Sequence, residues 1–184
     1  TNLNKLESVY NLNLNNCNEI KCVTLLKSLN KLQLYNCENI QNVIIPMPIE
    51  HMRIYACNKI THISIQGSIR NLAISWCNNI KNVSKLKSVH ELNLHNNKNI
   101  KDISMFGSIH TLNLENCKYT KDIGNLRTLK ILTINTYIEG IHLLKELKEL
   151  YIELHINKNH GKKMRRKIRK LKNINPMVKI FYIE

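Results

Sequence analysis

Five glycines and three prolines among 184 residues exclude a collagen-like repeat and a flexible or Pro-rich disordered chain. No apolar run approaches the ~20 residues that a membrane-crossing helix needs, and no secretory leader opens the chain. No Cys-x-x-Cys pair occurs among the six cysteines, so the usual zinc-site spacing is missing and no metal is expected. A nucleophile–base arrangement, a phosphate-cradling glycine loop and a paired-carboxylate motif are also lacking; neither an enzyme nor a cofactor is expected. Acid is scarce beside base: 13 Asp+Glu against 28 Lys+Arg, a formal charge of +15. The excess is local. Residues 155–184 hold ten basic residues and one acidic residue and carry +9, which leaves +6 for the first 154 residues. A local basic element is therefore expected, rather than a global attraction to nucleic acid.

What is abundant is Asn and Ile, set in a period of twenty. "YNLNLNNCNEI" at 10–20 returns as "NKLQLYNCENI" at 30–40. The first apolar position reads Leu12, Leu32, Met52, Leu72, Leu92, Leu112, Leu132; the second reads Leu14, Leu34, Ile54, Ile74, Leu94, Leu114, Ile134. Within the first unit the apolar residues continue as Ile20, Val23, Leu26 and Leu29. One step of two residues predicts a short strand with its leucines inward. The steps of three fit tight turns or 3₁₀ pieces, with three residues per turn, and leave little room for a full helix. One such unit cannot bury its apolar edge alone, so units stack and their strands pair in a parallel sheet. The last interval shortens to 18, from Leu132 to Leu150.

The pattern Leu29-x-x-Leu32-x-Leu34-x-x-Cys37 resembles the leucine-rich repeat signature in its cysteine form, over about residues 3–154. The resemblance implies an α/β solenoid with its parallel β-sheet on the concave face; the spacing adds short turn or 3₁₀ return segments, and "GKKMRRKIRKLKNINPMVKIFYIE" reads as a helix, a break at Pro176 and a final strand that cap the array. Two domains are expected: a repeat array over 1–154, opening mid-repeat with its N-terminal cap missing, and a capping helix and strand over 155–184. "LQLYNCENI" is also similar to the cysteine-type repeats of F-box leucine-rich proteins, whose return segments are longer and helical; that likeness implies the recognition half of a larger enzyme such as a ubiquitin-ligase component. The short Asn/Ile-rich units are closer to leucine-rich repeat proteins of large insect poxviruses or of A/T-rich protists. That likeness implies a viral or host-interaction factor in the host cell cytoplasm.

The recurring cysteine position holds Cys17, Cys37, Cys57, Cys77, Asn97 and Cys117. Successive members fall ~4.8 Å apart along a line, whereas metal ligands converge on a point. A buried, reduced ladder is expected, in a reducing intracellular setting. Cys22 lies off the ladder.

Strand residues that alternate with the buried pair form rows on the open sheet face. Tyr35, His51, Arg53 and Tyr55 fall on adjacent strands, with the single tryptophan, Trp76, just beyond the next. Exposed Trp, Tyr and Arg dominate interface energetics, so these five are the candidate protein-binding residues. A protein partner is the leading expectation. The alternative is a nucleic-acid or anionic-membrane binder acting through Lys162, Lys163, Arg165, Arg166, Arg169 and Lys170, on a helix whose apolar face is Met164, Ile168 and Leu171. His90 and His110 share a row but lack a third ligand.

Overall fold

The structure is a computed structural model describing residues 3, 6, 8–24, 27–80, 83, 86, 88–104, 106–153 and 158–183, with the side chains of 158–160 excepted. Leu26 and the 154/155 domain boundary lie outside the described residues.

The chain is a parallel-sheet repeat solenoid of about 7 turns with one C-terminal helix. Its main sheet takes one strand from each successive repeat, β1 (Asn11–Asn15), β3 (Lys31–Tyr35), β5 (Ile49–Tyr55), β7 (Ser68–Ser75), β8 (Ser88–Asn93), β9 (Thr111–Asn113), β10 (Ile131–Ile134) and β11 (Glu149–Glu153), and then β12 (Lys179–Ile183) from beyond the helix. Register follows the twenty-residue period, so Leu12, Leu32, Met52, Leu72, Leu92, Leu112 and Leu132 lie side by side. Their period-two partners point the same way, and from Leu32 and Leu34 onward both columns are buried. The core is this double column closed by the return segments.

The three-residue steps become turns closed by i→i−3 bonds. Leu86 N–H donates to Val83 O (3.0 Å), Phe106 N–H to Ile103 O (3.2 Å) and Leu126 N–H to Ile123 O (3.0 Å). Each such turn drives one apolar side chain inward every third residue.

The earlier return segments depart from the expected turns. There β2 (Cys22–Thr24), β4 (Asn42–Ile45) and β6 (His62–Ile65) form a second parallel sheet. The reason is local: Val43/Ile45 and Ile63/Ile65 alternate at period two and are β-branched, so the chain runs extended and buries both pairs. Among the described residues β6 is the last strand of this second sheet.

The shortened interval rests on a close approach. Gly140 has φ +82°, and a Cβ there would collide with Gly124 and the Asp122 carboxylate. Only glycine lets the two coils meet through the Asp122–Glu139 bridge.

The helix α1 (Lys158–Ile174) buries Met164, Ile168 and Leu171, and Val178 beyond it is buried as well. Asn175 Nδ2 donates to Leu147 O (2.5 Å) and Lys179 N–H to Lys148 O (2.8 Å), which tie the helix end to the last coil. β12 then pairs in parallel with β11 and continues the same sheet. Among the described residues no helix is long and apolar enough to cross a membrane.

Candidate functional site

Strand alternation places every second residue of the main sheet on its open side. One row reads Lys31, His51, Asn71, Glu91, Thr111; the next reads Gln33, Arg53, Ala73, Asn93, Asn113; the third begins Tyr35, Tyr55, Ser75. A depression of about 510 Å³ lies over the first two rows, and Ala73 is the smallest side chain on its floor. Cations gather at one end (Lys31, Arg53), and Glu91 stands two strands beyond Arg53, its carboxylate accepting from Asn71 Nδ2 at 2.6 Å.

Tyr35, Arg53 and Tyr55 meet. The Tyr35 and Tyr55 rings lie 6.3 Å apart, and the Tyr35 hydroxyl accepts from Gln33 Nε2 at 3.0 Å and from Arg53 at 3.5 Å. These contacts leave Tyr35 half-buried, less open than its strand position alone implies, while Tyr55 is 41% exposed. His51 is exposed, one row from Arg53 and two from the tyrosines. Trp76 is 46% exposed and meets His95 edge-on, with ring centroids 6.3 Å apart. Tyr35, Tyr55, Trp76 and His95 thus line the C-terminal ends of four neighbouring strands. His95 was not singled out in the sequence, although it stands one repeat beyond Ser75 in the third row.

Trp76 occupies an unusual backbone position. In six successive coils one residue enters the left-handed region: Asn16, Asn36, Ala56, Trp76, Asn96 and Asn116, with φ between +52° and +59°. There the backbone N–H reaches the next coil's strand end, as in Asn36 N–H to Tyr55 O (3.0 Å) and Trp76 N–H to His95 O (3.3 Å). Asn tolerates this region through its short polar side chain, whereas a bulky side chain is strained there.

The next residue in each coil opens the buried column. Cys37, Cys57, Cys77 and Cys117 are buried free thiols; Cys17 is half-buried and Cys22 exposed. Cys37 Sγ donates to Leu14 O (3.5 Å) and Cys117 Sγ to Leu94 O (2.8 Å). Asn97 does the same work: its Nδ2 donates to Ile74 O (2.5 Å) and Leu94 O (3.0 Å), and its Oδ1 accepts from Cys77 N–H (2.8 Å). Burial pushes the Cys57 and Cys117 thiols up to about 12 and Cys77 to about 11. Neutral thiols at these positions are poor nucleophiles and poor ligands.

A second ladder lies in the turns and escaped the sequence reading. Asn39, Asn79 and Asn99 donate Nδ2 to Asn18, Asn58 and Asn78 O at 2.8, 2.6 and 2.6 Å. Its signal was asparagine recurring at twenty-residue intervals just after the cysteine.

His90 and His110 stack at 4.2 Å, with His110 Nδ1 donating to Ser108 O at 2.9 Å. Parallel rings send their in-plane lone pairs side by side rather than to one point. Among the described residues no three His, Cys, Asp or Glu side chains form a group able to hold a metal.

On α1 the six predicted cations are exposed but divided. Lys163, Arg166 and Lys170, with Lys167, face Tyr137 and Glu139 across a cleft of about 300 Å³. Lys162, Arg165 and Arg169 lie round the other side, with Arg166 between the two groups. Lys167 Nζ bonds Glu139 at 2.9 Å, and the Tyr137 hydroxyl donates to the same carboxylate. The Tyr137 bond, then Lys167, hold the Glu139 carboxyl below its ordinary range. Sequence reasoning missed Lys167, Tyr137 and Glu139 in this role, because their meeting depends on how the helix docks.

No family model, no curated protein and no solved structure matches the chain.

Proposed function

We propose that the chain is a non-enzymatic leucine-rich repeat module whose concave sheet face binds a protein partner, in a reducing intracellular compartment. The observation that carries this reading is the line of Tyr35, Tyr55 and Trp76 at the strand ends beside Arg53. Rigid aromatics with little rotamer entropy to lose, next to a guanidinium, are the side chains that dominate protein interfaces. Tyr35 is already held by Gln33 and Arg53, so little ordering remains to be done on binding. Trp76 adds weight, since a large apolar side chain stands exposed in a backbone position that its neighbours fill with Asn or Ala. The run from Lys31 and Arg53 to Glu91 gives the face a polarity that orients a partner with the opposite arrangement. The helix and last strand act as the cap of the array, covering the end of the core.

The test is affinity capture with the wild type and with Tyr35→Ala/Tyr55→Ala, followed by titration of whatever the wild type alone retains. Loss of about 2 kcal/mol or more of binding, with unchanged melting, is expected. A partner that binds the double variant as tightly as wild type removes the sheet face from the account.

A further inference from the structure

The cleft beside α1 differs from a merely basic helix face. Lys163, Arg166, Lys167 and Lys170 follow i, i+3, i+4, i+7 spacing, so they form one stripe, and that stripe faces a wall made by Tyr137 and Glu139. Glu139 is committed: it pairs with Lys167 at 2.9 Å and accepts the Tyr137 hydroxyl. Among the described residues the only ion pairs are Lys167–Glu139 and Arg70–Glu50, so Lys163, Arg166 and Lys170 have no carboxylate of their own. Like charges three and four residues apart repel along a helix, and an anion that touches several at once relieves that repulsion. The cleft, at about 300 Å³, has the size of a small-ligand site. Arg166 offers a planar fork for phosphate oxygens, and the two lysines offer mobile point charges. The other side of the helix carries Lys162, Arg165 and Arg169, but its cavity is lined by helix cations alone and has no facing wall.

We propose that Lys163, Arg166 and Lys170 form a binding site for a clustered-phosphate anion, seated between α1 and the Tyr137–Glu139 stretch. The occupant is a soluble polyphosphate or a multiply phosphorylated lipid headgroup; the shared chemistry is two or more adjacent phosphates. Lys167 is a positioning residue that holds Glu139 and keeps the carboxylate from the other three cations. The inference is independent of the protein-binding reading of the sheet face.

Two triple variants of equal charge separate a built site from general attraction: Lys163→Gln/Arg166→Gln/Lys170→Gln and Lys162→Gln/Arg165→Gln/Arg169→Gln. The readout is calorimetric titration with tripolyphosphate at physiological ionic strength, on proteins whose melting confirms folding. The cleft triple should lose about tenfold or more in affinity and the outer triple no more than about threefold. Glu139→Gln, which removes the competing carboxylate, should tighten binding. Phosphatidylcholine vesicles with and without a bisphosphorylated inositol lipid then identify the source. Retention on the inositol-lipid vesicles, released by tripolyphosphate, assigns a headgroup; tripolyphosphate binding without retention assigns a soluble anion. Equal losses in the two triples, or no tripolyphosphate binding by the wild type, would overturn the proposal.

Discussion

Two columns of residues, one position apart in sequence, run through six successive coils and treat departures from the repeat in opposite ways. In the buried column, Cys37, Cys57, Cys77 and Cys117 are interrupted by Asn97, and the interruption is chemically conservative. The Asn97 amide donates to Ile74 O as the thiols donate to their own neighbouring coils, and it satisfies Cys77 N–H as well. In the left-handed column, Asn16, Asn36, Asn96 and Asn116 (of which Asn96 is buried and Asn116 half-buried) are interrupted by Ala56 and Trp76. Neither side chain has the amide that helps Asn into left-handed backbone, and Trp76 leaves nearly half its surface in water. A buried slot admits only residues that do the same job, because an unsatisfied group there is costly. A left-handed slot that opens to water, as at Trp76, is free to take a residue for another reason. The substitution of Trp for Asn is what the proposed binding face explains and the fold does not.

The buried column should be the easier one to break. Asn97→Leu leaves Cys77 N–H, Ile74 O and Leu94 O without their side-chain partner and should lower stability by about 2–4 kcal/mol in urea unfolding. Asn97→Cys, which restores the column's own residue, should recover part of that loss. A fall below about 1 kcal/mol for Asn97→Leu would mean that the ladder does little.

Alkaline pH tests the same column through the ionisation of its thiols. The folded Cys57 and Cys117 values, pushed by burial from the ordinary 9.0 to about 12, lie above the unfolded ones. The neutral thiol is thus favoured in the fold; that contribution is complete below pH 9.0 and is lost as pH climbs towards 12. The urea midpoint should fall more steeply above pH 9.0 for wild type than for Cys57→Ala/Cys117→Ala. Parallel curves would place the thiols in water. At neutral pH, Cys57→Ala alone should cost about 1–2 kcal/mol, through lost packing and one lost weak donor.

The sheet register was legible because Leu12, Leu14 and their successors repeat at twenty residues, and stacking turns that interval directly into strand pairing. The second sheet was not read, because Val43/Ile45 and Ile63/Ile65 break the three-residue step only locally and a few alternating residues look alike in turn and strand. The neighbourhood of Tyr35, Arg53 and Tyr55 followed from register alone. The half-burial of Tyr35 did not, since it depends on side-chain hydrogen bonds to Gln33 and Arg53. The left-handed position of Trp76 was hidden in plain view: Asn16, Asn36, Asn96 and Asn116 mark the column, but its meaning needs the backbone dihedrals. The division of the α1 cations into a cleft set and an outer set follows the docking of the helix against Tyr137 and Glu139, which no helical wheel records.

The most direct measurement is the stability of Trp76→Asn beside its effect on a captured partner. Half-burial of the indole is worth about 2–3 kcal/mol, part of which Asn recovers, and release of a bulky residue from left-handed backbone returns about 1–2 kcal/mol. The two nearly cancel, so the urea unfolding free energy should stay within about 1 kcal/mol of wild type while partner affinity drops about tenfold or more. A destabilisation of about 3 kcal/mol would make Trp76 a part of the fold, and unchanged affinity would take it out of the interface; either result contradicts the account.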